Sequence, residues 1–363
     1  MQYTVQLSTG SRFHQEYDVQ DIIARLSQVF DLISVDKLML GWYPNEDMYL
    51  RLKEFLAKHG TKMILWLPVF SDTAEFGTVD KAVNLWGKDI ASSLVKSGET
   101  FDFCCPSSPD NIDLVKEMYH KYFSTSGFDG IFMDRIRTHS FGGGISGVLS
   151  CGCPRCAEKH FENGVSLDDV RKAYETLEDN FFDKLPSGSF AHEITENFFN
   201  SKCKIIDQGV GELCQHFRKL KLEVGLDTFA PLMSRFVGQD YNLLTQHADF
   251  VKPMLYRHTL APAGLGYEYD LLRSAAPKAQ GYDPIDMDAD FLNAQLRELS
   301  SLPCNVYAGI EINHHPVLVK TSPQYVRECL DVIGQNNCTG AALSWNIMQA
   351  PLSHIEVLSS NML

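Results

Sequence analysis

What this 363-residue sequence lacks narrows its possible roles. Basic residues are scarce: 32 Lys and Arg stand against 46 Asp and Glu, a formal charge of −14. So acidic a chain has no obvious cationic face for nucleic-acid phosphates or an anionic membrane surface, and neither is expected as a partner. No apolar run nears the roughly 20 residues of a membrane span. The opening stretch, MQYTVQLSTGSRFHQEYD, has no basic segment leading into an apolar one, as a secretory signal would. A cytoplasmic protein is the expectation, with homo-oligomer formation left open. Internal repeats and low-complexity segments are also missing. No glycine-rich dinucleotide fingerprint follows any apolar run, and the glycines at 142–147 do not have its spacing.

What is present is a regular alternation. Strand-like runs occur at 4–9 (TVQLST), 37–43 (KLMLGWY), 62–70 (KMILWLPVF), 128–134 (FDGIFMD), 223–229 (EVGLDTF), 249–256 (DFVKPMLY), 305–313 (NVYAGIEIN) and 340–346 (GAALSWN). Amphipathic helical segments lie between them, such as 18–30, 48–60 and 322–334, the last opening on Ser-Pro and closing on Gly334. Eight strands alternating with helices predict an α/β fold, a closed (β/α)8 TIM barrel. The intervals 71–103 and 138–193 are too long for plain connections, and they follow strands 3 and 4, where a barrel places active-site loops. The expectation is one catalytic domain over 1–363, with 138–193 an inserted loop subdomain.

Period-2 alternation says which side chains look inward. It aligns Lys252, Met254 and Tyr256 on strand 6, Gly225 and Asp227 on strand 5, and Tyr307, Gly309 and Glu311 on strand 7. Strand 4 ends in Asp134, beside Arg135 and Arg137. Ionisable groups are costly to bury unless paired or used, so several of them near one rim form an active-site pattern.

Ten cysteines in a cytosolic chain do not suggest a disulfide framework. Cys203, Cys214, Cys304, Cys329 and Cys338 read as small core residues. Cys151, Cys153 and Cys156 form a C-x-C-x-x-C run, and Cys105 precedes a proline upstream, with Cys104 competing for its role. Four thiolates make a closed tetrahedral site suited to structural zinc, which would staple the two long loops together.

This cysteine pattern resembles the β-galactosidases of glycoside hydrolase family 42, where a cysteine after strand 3 joins a C-x-C-x-x-C after strand 4. Over about residues 100–160 the chain also resembles hypothetical barrel glycosidases related to the α-galactosidase and α-amylase group. In that group DGxxxD on strand 4 ends in the nucleophile, which the resemblance places at Asp134. Two features depart from these families: the Asn-Glu pair of family 42 is missing, and Phe132 stands where the amylase-type arginine would be.

Glycoside cleavage needs two carboxyl groups across the scissile bond. Asp134 is the expected nucleophile. The acid is Asp227 in an amylase-like layout or Glu311 in a layout using strands 4 and 7, and the clean alternation around Glu311 favours it slightly. Arg135, Lys252, Tyr256 and Asn313 are candidate sugar-binding residues. Trp42, Trp66 and Trp345, at strand ends, are candidates to stack on a sugar ring. The expected activity is hydrolysis of a carbohydrate substrate, an imported oligosaccharide or glycoside. The alternatives are a lyase or aldolase using Lys252 as a Schiff-base amine, and a sugar-binding barrel without catalysis.

Overall fold

The computed structural model describes residues 1–90, 93–94, 100–185 and 187–359. Eight parallel strands close a barrel: β1 (Gln2–Ser8), β2 (Lys37–Gly41), β3 (Lys62–Pro68), β4 (Gly130–Asp134), β5 (Glu223–Phe229), β6 (Phe250–Met254), β7 (Asn305–Glu311) and β8 (Gly340–Ser344). Each pairs with its successor, and β8 returns to β1. All eight expected runs are therefore strands of a TIM barrel.

The outer layer includes α1 (Val19–Phe30), α2 (Glu46–Lys58), α3 (Pro109–Tyr122) and α6 (Glu193–Lys219), then α7 (Leu265–Ala275), α8 (Ala289–Glu298), α9 (Pro323–Gly334) and α10 (Leu352–Ser359). Helical spacing puts Ile22, Leu26 and Val29 of α1, and Met48, Leu52 and Leu56 of α2, on buried stripes. Side-chain caps set the helix starts. The Ser322 hydroxyl accepts the Tyr325 N–H at 3.2 Å, and Pro323 takes the first turn, where its missing N–H costs nothing. No helix among the described residues is long and apolar enough to cross a membrane.

The long intervals hold structure of their own. The 138–193 segment contains α4 (Pro154–Glu162) and α5 (Leu167–Leu177), and its Phe141, Val148, Phe181 and Phe182 join the main apolar core. Parts of both intervals, at 91–92, 95–99 and 186, lie outside the described residues. The two loops are tied together: Asn84 bridges Ser150, and the Gly152 N–H donates to the Val83 carbonyl at 3.0 Å.

Inside the barrel, alternate residues stack in levels. At the amino end Lys37 donates to the Tyr307 hydroxyl at 2.9 Å and pairs with Asp36 and Glu223. Above it Met39, Ile64, Phe132, Phe250, Tyr307 and Ala342 form a separate buried cluster. The uppermost level is polar, with Gln6, Asp134, Asp227 and Lys252 among its members. The strand register sets Lys252 beside Asp227 and Asp134 beside Pro68.

Two glycines make these levels fit. A Cβ on Gly309 would lie 2.7 Å from the Lys252 stem, and one on Gly225 would lie 2.1 Å from the Phe250 ring. That ring cannot easily retreat, because it stacks on Phe132 at 6.0 Å and meets Tyr307 edge-on at 5.7 Å. Gly225→Ala is therefore expected to cost about 1–3 kcal/mol, the usual range for overpacking a full core. Denaturant unfolding measures it, and an unchanged midpoint would show that the middle level is loosely packed.

Candidate active site

A cavity of roughly 180 Å³ opens at the carboxyl ends of the strands. Asp134, Asp227, Lys252, Tyr256, Trp66 and Trp345 all line it. With Arg135, which lines it too, seven residues singled out from sequence meet in one place.

Asp134 ends β4 with its carboxylate fixed on both sides. One oxygen accepts the Trp66 indole N–H at 3.0 Å, and the other accepts the Arg135 backbone N–H at 2.6 Å. The Arg135 backbone is left-handed, with φ 56°, and its guanidinium pairs with Asp72 in the loop after β3.

Asp227, one strand over, occupies a different environment. Its Oδ2 accepts the Lys252 ammonium at 3.0 Å, while its buried Oδ1 has no partner among the described residues. Burial pushes this carboxyl up, Lys252 pulls it back, and the nearby charge of Asp134 pushes it up again, leaving it at about 7. For Lys252, burial works against the ammonium, but Asp227 and Tyr256 outweigh it and hold the proton more tightly than usual. Lys252 also donates to Gln6 Oε1 at 3.0 Å. Beside it, the Tyr256 and Trp345 rings meet edge-on at 6.3 Å.

The remaining candidates do not line the cavity. Glu311 shares the inward face of β7 and the same end of the barrel, but it is fully buried and accepts the His258 backbone N–H at 2.6 Å. Burial is the main influence on its carboxyl, and raises its pKa. Asn313 works from behind, its Oδ1 accepting the N–H groups of Trp345 and Asn346 at 2.8 and 3.1 Å. Trp42 packs edge-on against Trp66 at 5.5 Å, forming a backing layer.

Other cavity residues escaped the sequence reading. Gln6 sits on the inward parity of β1, so period 2 could have found it. Thr259, the segment 261–263 and Leu318 come from loops after β6 and β7, which carry no periodic signal. Arg137, noted earlier only as a neighbour of Asp134, lines the cavity itself. Its guanidinium packs against the rings of Phe103 and Phe229, at 4.5 and 4.6 Å from their centroids.

The cysteines form a second centre. The sulfur atoms of Cys105, Cys151, Cys153 and Cys156 all lie within 4.8 Å of one another. Cys105 Sγ is 3.4 Å from that of Cys153 and 3.5 Å from that of Cys156. Cys104 turns away to the Thr73 hydroxyl, at 3.7 Å, so Cys105 is the fourth member. Hydrogen bonds among the four sulfurs push Cys151 and Cys153 down and Cys105 and Cys156 up.

No family model matches this sequence, nor does any curated protein. Solved structures do. The glycoside hydrolase domain of PgaB (BpsB) from Bordetella bronchiseptica is 13% identical, with a TM-score of 0.61 over 96% of this chain and 95% of that one. The C-terminal domain of a putative chitinase from Desulfitobacterium hafniense is 9% identical, with a TM-score of 0.54 over 99% and 97% of the two chains. A class V chitinase from Pseudomonas fluorescens is 10% identical, with a TM-score of 0.53 over the full length of both. At such identities the likeness is one of fold: this chain has the barrel found in several glycoside hydrolases.

Proposed function

We propose that the chain hydrolyses a glycosidic bond, with Asp227 as the acid and Asp134 as the nucleophile or base. The observation that carries this reading is the pair of carboxyl groups on neighbouring strands, set differently within one cavity. Asp227, raised to about 7, can hold a proton near neutral pH. Asp134, fixed by the Trp66 and Arg135 N–H groups, is aimed as a carboxylate. Asp227 would protonate the departing glycosidic oxygen as positive charge develops at the anomeric carbon facing Asp134. The charge left on Asp227 is then met by Lys252 at 3.0 Å. Trp345 and Tyr256 offer faces for the sugar ring. Glu311, engaged behind the cavity wall, fits a role in holding the loop after β6 better than a role as the acid.

The lyase reading draws less support. A Schiff-base lysine must lose its proton, whereas Lys252 is locked to Asp227. The third reading, sugar binding alone, is separated by turnover.

The four cysteines are proposed to hold a structural zinc ion. Tetrahedral coordination at about 2.3 Å per bond sets neighbouring sulfurs about 3.8 Å apart, close to the separations in this cluster. With four thiolate ligands no position is left open for chemistry, so the ion would brace the loops after β3 and β4.

On a panel of 4-nitrophenyl glycosides and chitooligosaccharides, Asp134→Asn should fold normally and still bind sugar. It should lose about a thousandfold or more in kcat. Wild-type turnover by this variant would end the assignment of Asp134.

The pH profile tests the acid. Because the Asp227 pKa is raised, its proton is present below about 7 and lost above. Turnover should therefore fall as pH rises through that value, and Asp227→Asn should remove the fall along with most of the rate. A flat profile to pH 9 would exclude Asp227 as the acid.

Elemental analysis of protein purified without chelator should find about one zinc per chain. Cys153→Ser should lower Tm by roughly 5 °C or more while changing kcat little. Protein free of zinc and equally stable would refute the metal.

A further inference from the structure

Three cations line the cavity: Arg135, Arg137 and Lys252. Arg135 is paired with Asp72 and Lys252 with Asp227. Arg137 is the exception. Among the described residues no carboxylate comes within 4 Å of it, although it is only 4% exposed. Its one acceptor among the described residues is the Thr138 carbonyl, taken by Nη1 at 3.0 Å. Three carboxylates, Glu268, Asp134 and Asp227, act on it electrostatically without pairing with it. Each has partners of its own: Glu268 accepts from the Ser140 hydroxyl at 2.6 Å and the Ala263 N–H at 3.2 Å, Asp134 from Trp66 and Arg135, and Asp227 from Lys252.

The surroundings of Arg137 restrict what can reach it. The rings of Phe103 and Phe229 pack against the guanidinium and limit the directions from which a partner can approach. A buried cation flanked by rings, with spare N–H groups, suits a planar two-oxygen acceptor. A sugar hydroxyl would meet one of those N–H groups. A carboxylate would meet two and would also neutralise the charge, which is otherwise costly to bury.

We propose that Arg137 binds the carboxylate of a sugar acid, making this a cavity for uronic-acid glycosides. The inference rests on the hydrolase reading for the reaction but not for the binding. Arg137 lies three residues beyond Asp134 on the same chain segment, so a carboxylate bound there would belong to the ring seated at the cleaved bond.

The test compares matched pairs of 4-nitrophenyl glycosides, glucuronides against glucosides and galacturonides against galactosides, in both anomers. Calorimetric binding of free glucuronate and galacturonate, against glucose and galactose, runs alongside. Wild type should favour at least one uronide over its neutral partner by about tenfold or more in kcat/KM, the scale of one charge-assisted pair. Arg137→Lys keeps a charge but loses the fork, and should bring that ratio close to one, mainly through KM. Cleavage of the neutral glycosides with no preference for the acids would overturn the inference and leave the hydrolase standing. Binding of a uronate that weakens in Arg137→Lys, with no glycoside cleaved, would uphold the carboxylate site and defeat the hydrolase. Neither binding nor cleavage would defeat both.

Discussion

The pairing of Lys252 with Asp227 is the constraint around which the top of the barrel is arranged. Both groups are fully withdrawn from water, and neither could stay charged there alone. Keeping them together fixes the register of β5 against β6, demands Gly309 beside the lysine stem, and recruits Gln6 from across the barrel as a further acceptor. The pair then sets the local chemistry. It leaves one buried oxygen of Asp227 without a partner among the described residues and places a fixed positive charge beside the other.

Much of this was legible in the sequence because strands alternate strictly. Period 2 picks out Asp227, Lys252 and Tyr256 from two short runs, and the end of an apolar run picks out Asp134. What alternation reports is the face a residue occupies, not where the end of its side chain goes. Glu311 shows the difference. Its Cα lies on the inward face, yet it does not line the cavity, and one oxygen of its carboxylate accepts the His258 N–H. Arg135 shows it again, since a left-handed backbone turns its side chain to Asp72, and no pattern of residue types announces that turn. The choice between Cys104 and Cys105 was likewise settled by which way adjacent side chains leave an extended segment.

The loops contribute by a different logic. Phe103 belongs to the segment that leads into Cys105, and it packs with the cysteines in one small apolar cluster while one face of its ring covers Arg137. His139 lies edge-on to the same ring at 4.7 Å. The cysteine centre and the cavity are therefore not separate furnishings of the barrel. A wall that holds a cation in position is continuous with the knot that joins the two long loops.

Below the charged pair, Met39, Ile64, Phe132, Phe250, Tyr307 and Ala342 are packed without exposure to solvent. That packing closes the floor of the cavity among the described residues, so a molecule bound there can be reached from the rim but not from the amino end of the barrel.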